Sequence, residues 1–72
     1  MADRYPLIFV YQDAAHILKS NQHNGTLDLT PTTIRTIINN LLDGWDKAGF
    51  VVNHDYNQDR AVATVKRLFR AL

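Results

Sequence analysis

The stretch from Leu29 to Phe50, LTPTTIRTIINNLLDGWDKAGF, constrains the fold of this chain more than any other. At about 100° per residue, Ile34, Ile37, Ile38, Leu41, Leu42, Trp45 and Ala48 fall within an arc of roughly 140°. Arg35, Thr36, Asn39, Asn40, Asp43, Asp46 and Lys47 take the opposite side. Thr30 suits the N-cap, and Pro31 suits the first helical position, where its missing N–H would have no partner. Gly49 suits a left-handed stop, with Phe50 placed to pack back on the last turn. The spacing predicts a long amphipathic helix over about 31–48 as the centre of the fold.

Such a helix must bury its apolar arc against other elements, and a chain of 72 residues has few. A domain of that size buries only about 60% of its unfolded surface. There is no cysteine, so no disulfide can help, and no four-ligand metal pattern appears. Stability must come from helix packing or from a second chain, which favours a homodimer. Hydrophobic content of 46% argues against disorder. No apolar run reaches the ~18 residues of a membrane span. The start, MADRYP, lacks a basic region followed by a long apolar stretch, so no signal peptide and a cytoplasmic location are expected. Asn24-Gly25-Thr26 matches a glycosylation sequon but is more simply a turn.

The flanking segments predict a mixed fold. Residues 1–5 are expected to fray. Over about 6–20, Leu7, Val10, Tyr11, Ala14, Ala15 and Leu18 repeat at helical spacing, although Leu7 to Tyr11 is also rich in strand formers. Asn21 to Gly25 then makes a loop. Thr26 to Leu29 alternates like a very short strand. Phe50 to Asn53 suits a strand, Asp55 to Asp59 a polar turn, and about 60–66 a return strand, completing a β-hairpin. For residues 60–72 a helix competes, because Val62, Val65, Leu68, Phe69 and Leu72 also fall at helical spacing and Asp59 suits its cap. With the hairpin favoured, the expected class is α+β, in a single small domain over 1–72.

Leu29-Thr30-Pro31-Thr32-Thr33-Ile34-Arg35, Lys47-Ala48-Gly49-Phe50-Val51 and Asp59-Arg60-Ala61-Val62-Ala63-Thr64-Val65 follow one another in this order. Together they resemble the helix-plus-wing half of winged-helix DNA-binding domains of the multiple-antibiotic-resistance regulator type. The resemblance covers about half the chain. It implies a small winged-helix-like domain, duplex DNA as partner and a role in transcription regulation. That family carries another helix just before the recognition helix, and residues 21–29 are too few to form it. Residues 6–20 would have to serve instead.

On that reading Thr32, Thr33, Arg35, Thr36 and Asn39 meet base edges or phosphate from the first turns of the long helix. Arg60, Lys66, Arg67 and Arg70 supply charge towards the backbone. Asp43 and Asp46 on the same face restrict contact to Thr32 through Asn39. Net charge is only +1, but the chain ends basic: Arg60 to Leu72 holds four cations and no acid. His16, His23 and His54 lie on different predicted elements and form no metal-ligand pair. No nucleophile–base order, phosphate loop or carboxylate pair is evident, which points away from an enzyme, a metal site or a cofactor. The second function class is a protein-interaction module, such as an adaptor, dimerisation unit or inhibitor. There Phe9 and Trp45 belong to the core, Tyr5, Tyr11 and Tyr56 are at least partly exposed, and an exposed tyrosine pair beside Phe69 and Leu72 suits a protein interface.

Overall fold

The structure, a computed structural model, describes residues 3–72. Three helices follow one another: α1 over Leu7–His23, α2 over Pro31–Lys47 and α3 over Gln58–Ala71. Among the described residues there is no strand longer than one isolated parallel bridge, between Arg4 and Val51. The fold is therefore all-helical, and the expected α+β class with its winged-helix hairpin is overturned.

The central helix forms as its residues dictate. Thr30 is the N-cap, its hydroxyl oxygen accepting from the Thr33 N–H at 3.4 Å, and Pro31 opens the first turn. At the other end Gly49 takes φ 98°, and its N–H donates to the Asp46 carbonyl at 3.0 Å. The Phe50 N–H donates to the Trp45 carbonyl at 3.1 Å, and the two rings meet edge-on. Both hydrogen bonds and the apolar clasp are those of a Schellman stop.

The same device ends α1, three residues later than the sequence spacing suggested. Gly25 takes φ 74°, its N–H donates to the Gln22 carbonyl at 3.2 Å, and the Thr26 N–H donates to the Asn21 carbonyl at 2.8 Å. Asn21, Gln22 and His23 are thus helical, because nothing before Gly25 forbids another turn. Thr26 to Leu29 makes no strand pairing, so no short strand forms there.

The largest departure is α3. The Asn57 side chain accepts from the Arg60 N–H at 3.0 Å, so Asn57, two residues before the expected Asp59, caps a helix where the return strand was predicted. As a strand, this segment would put Val62 and Val65 on opposite faces. As a helix it buries Ala61, Val62, Val65 and Phe69 together. Burial decides between the two periods. Phe50 to Asn53 has no return strand, and only Val51 makes a bridge. Its N–H donates to the Asp3 carbonyl at 2.8 Å, and the Tyr5 N–H donates to the Val51 carbonyl at 2.9 Å. Residues 3–5, expected to fray, are pinned; residues 1 and 2 lie outside the described residues.

α1 and α2 run antiparallel, since Tyr5 at the foot of α1 stacks on Trp45 near the end of α2, at 4.0 Å between ring centroids. The core joins all three helices: Val10, Ala14, Ala15 and Leu18 from α1, Ile34, Ile38 and Leu42 from α2, and the four buried residues of α3. The small side chains of Ala14, Ala15 and Ala61 let the helix axes approach closely. No polar side chain is buried among the described residues.

Candidate interaction surfaces

The apolar arc of α2 is wider than the core it serves. Ile34, Ile38 and Leu42 are buried, Ile37, Leu41 and Trp45 are half-buried, and Ala48 is exposed. On α1, Phe9 is 48% exposed and Ile17 is 37% exposed, so the core position expected for Phe9 is not found. Helical phase explains it: at about 100° per residue Phe9 lies opposite Leu18, the centre of the buried face. That signal was readable in the sequence.

Phe9 and Trp45 are joined through Tyr5 at one seam. Tyr5 stacks on Trp45 and meets Phe9 and Phe50 edge-on, at 5.9 Å and 5.6 Å between centroids. The Tyr5 hydroxyl donates to the Asp13 carboxylate at 3.1 Å. α3 approaches the other flank of α2, where the Tyr56 hydroxyl donates to Asn39 Oδ1 at 2.7 Å. The Phe9–Trp45 side of the α1–α2 pair is therefore the side away from α3. Along it, Asn40, Leu41, Gly44, Trp45 and Ala48 line a shallow apolar groove. The expected exposed tyrosine pair beside Phe69 and Leu72 does not form: Tyr5, Tyr11 and Tyr56 are half-buried, and Phe69 is buried under Lys19, whose Nζ sits 4.7 Å from the ring centroid. The aromatic cluster that forms instead comprises Tyr5, Phe9, Trp45 and Phe50.

The residues singled out for nucleic-acid contact are distributed over two helices. At the start of α2, the Asp28 carboxylate accepts from the Thr30 N–H at 2.9 Å and from the Thr33 hydroxyl at 2.8 Å. These bonds hold its carboxyl below the usual carboxylate range, the Thr30 backbone bond contributing most. A carboxylate thus occupies the turn where a phosphate was expected. Thr32 is exposed, and its carbonyl accepts from the Thr36 hydroxyl at 2.9 Å. Arg35 is half-buried beside Tyr56. The phenol of Tyr56 is raised above its ordinary 10.0, chiefly by burial, although Arg35 pulls it down. Asn39 spends its side-chain oxygen on that phenol.

On α3, Arg60, Arg67 and Arg70 are exposed and Lys66 is half-buried. Helical phase gathers them into an arc of about 120° facing away from the core, with Asp59 on the same side. None of the four donates a side-chain hydrogen bond among the described residues.

Two other concavities are present. Between α1 and α3, Gln12, Ala15, His16, Leu68, Ala71 and Leu72 line a cleft of 190 Å³, below the roughly 300–1,000 Å³ of ligand pockets. Arg4, Val51, Val52 and Asn53 line an open hollow of 360 Å³ beside the Arg4–Val51 bridge. His16 and His23 lie on α1 and His54 in the loop before α3. Among the described residues no three His, Cys, Asp or Glu side chains converge as a metal site. No described helix is long and apolar enough to cross a membrane. Compared with known proteins, the chain matches no family model, no curated protein and no solved structure.

Proposed function

We propose that this chain is a small protein-interaction module whose binding surface is the α1–α2 seam on the side away from α3. The observation that carries this reading is Phe9, nearly half exposed, at the edge of the ring cluster formed with Tyr5, Trp45 and Phe50. Aromatic side chains that are rigid yet part-exposed suit interface anchors, because they offer large apolar area at low conformational cost. Tyr5 is held by its stack and by Asp13, so little order remains to be gained on binding.

The test is affinity capture from a native lysate treated with nuclease, comparing the parent chain with Phe9→Lys and with Arg67→Ala/Arg70→Ala. Proteins retained by the parent and by the α3 variant but lost with Phe9→Lys support the reading. Capture that vanishes on nuclease treatment, or depends on Arg67 and Arg70, overturns it.

A second reading rests on the outward cations of α3, which suit a nucleic-acid backbone without any wing. Four phosphate contacts give an affinity that falls on the order of 10²-fold between 50 and 200 mM salt. Gel shifts on a random-sequence duplex pool measure it; no shift at low salt removes this reading.

A further inference from the structure

We propose that Asn24 is a site of spontaneous covalent modification, its side-chain amide being lost through a cyclic imide formed with the Gly25 nitrogen. The hydrogen bonds that end α1 are the latch that sets the rate.

Asn24 is the one asparagine in the chain that is followed by glycine. Both residues are exposed, and nothing stands within 4 Å of a Cβ built on Gly25. No side chain therefore screens the Gly25 nitrogen from the Asn24 amide carbon. That nitrogen gives its proton to water or hydroxide and attacks the amide carbon. The new N–C bond closes a five-membered ring, and the amide nitrogen takes up a proton and leaves as ammonia. Water then adds to either imide carbonyl and opens the ring. The product is aspartate, or isoaspartate when the backbone comes to run through the side-chain carbonyl.

The folded backbone holds this reaction back. Ring closure needs the Gly25 nitrogen to eclipse Asn24 Cβ, but a ψ of −2° makes it eclipse the Asn24 nitrogen instead. The Gly25 N–H is also donated to the Gln22 carbonyl at 3.2 Å, and the Thr26 N–H to the Asn21 carbonyl at 2.8 Å. Both bonds must open before Asn24 can rotate. Helix ends open at small free-energy cost, so the site reacts from a frayed turn without global unfolding.

The alternatives are held more firmly. Asp43-Gly44 would close the same ring with loss of water, but it lies inside α2. Asn53 and Asn57 have their Oδ1 atoms engaged by the N–H groups of Asp55 and Arg60. Asn21, Asn39 and Asn40 are helical and precede bulkier residues. At Asn24, an aspartate places negative charge at the end of α1 that already carries the negative pole of the helix. Isoaspartate lengthens the backbone and breaks the register of both latch bonds. Either product takes the formal net charge from +1 to zero and weakens the last turn of α1.

Peptide mapping by mass spectrometry tests this on the whole chain at mildly alkaline pH, folded and in urea. The parent should gain acid first at Asn24, about 30-fold more slowly when folded than in urea, the factor that two hydrogen bonds supply. Thr26→Pro removes the 2.8 Å bond without touching the reacting atoms. Relative to its own rate in urea, this variant should react about fivefold faster than the folded parent. Asn24→Gln, whose ring would need a further member, should keep its amide. Equal rates for the parent folded and in urea overturn the latch, whether or not Thr26→Pro folds. So does a Thr26→Pro chain with full helical circular dichroism that reacts no faster. Acid appearing first at another residue overturns the site. So does an intact Asn24 in the folded chain after a time in which a reaction about 30-fold slower than in urea would be complete.

Discussion

At the residue scale, two glycines and three tyrosines make predictions. Gly25 and Gly49 hold the left-handed conformation at the ends of α1 and α2, with φ 74° and 98°. Space is not the obstacle to a side chain there, since neither position has a neighbour within 4 Å of an added Cβ. The backbone is. Gly25→Ala and Gly49→Ala are each expected to cost about 1–2 kcal/mol, measured by urea denaturation with unchanged slope. Tyr5, Tyr11 and Tyr56 all have phenols raised above their ordinary 10.0, in each case chiefly by burial, with Asp13 adding to Tyr5. A raised phenol contributes stability that is whole below its unfolded pKa and is lost as pH rises through the folded one. Melting temperature should therefore be insensitive to these groups up to about pH 9 and fall above about pH 10, in step with tyrosinate absorbance. Tyr5→Phe should flatten part of that fall. An alkaline limb identical to the parent's would show that Tyr5 does not couple to folding.

At the element scale, what the sequence made legible depends on whether a local signal had a competitor. α2 had none: Thr30, Pro31 and Gly49 mark its ends and one period fills its length, so its range was predicted to within a residue. α1 was recognised but ended early, because Asn21-Gln22-His23-Asn24-Gly25 looks like a loop until Gly25 is seen as the stop. α3 was misassigned because Ala61-Val62-Ala63-Thr64-Val65 alternates and favours strand locally. Only the tertiary need to bury Val62 and Val65 on one side selects the helix. The cap that starts it, Asn57, was hidden in a run of turn-forming residues. The candidate surface was half legible: phase alone places Phe9 outward. The Arg4–Val51 bridge that carries Tyr5 to Trp45 has no sequence signature. The assignment of α3 is tested by Ala63→Pro at an exposed position in its middle. Proline in a helix interior costs about 3 kcal/mol or more, through a lost hydrogen bond and a ring clash. Loss of helical circular dichroism and of the cooperative transition is expected. A variant as stable as the parent would contradict the helix.

At the scale of the whole molecule, a chain of 72 residues has little stability to spare: at roughly 0.05–0.15 kcal/mol per residue it holds about 4–11 kcal/mol. Ile38, fully buried where α2 enters the core, illustrates the margin, since Ile→Ala there costs about 2–5 kcal/mol. Association through the α1–α2 seam would add to this small total by mass action, because a partner that binds only the folded chain stabilises it. At a partner concentration about 100 times the dissociation constant the gain is ~2.7 kcal/mol. For a domain of this size each kcal/mol raises the melting temperature by about 4–8 °C, so the expected rise is on the order of 10–20 °C. The melting temperature of the parent should therefore climb when a protein captured through Phe9 is added in excess, while that of Phe9→Lys should not. A rise in the parent that Phe9→Lys lacks requires a partner seated on the seam; a parent whose melting temperature does not move would leave the seam unpaired and the stability of the chain entirely its own.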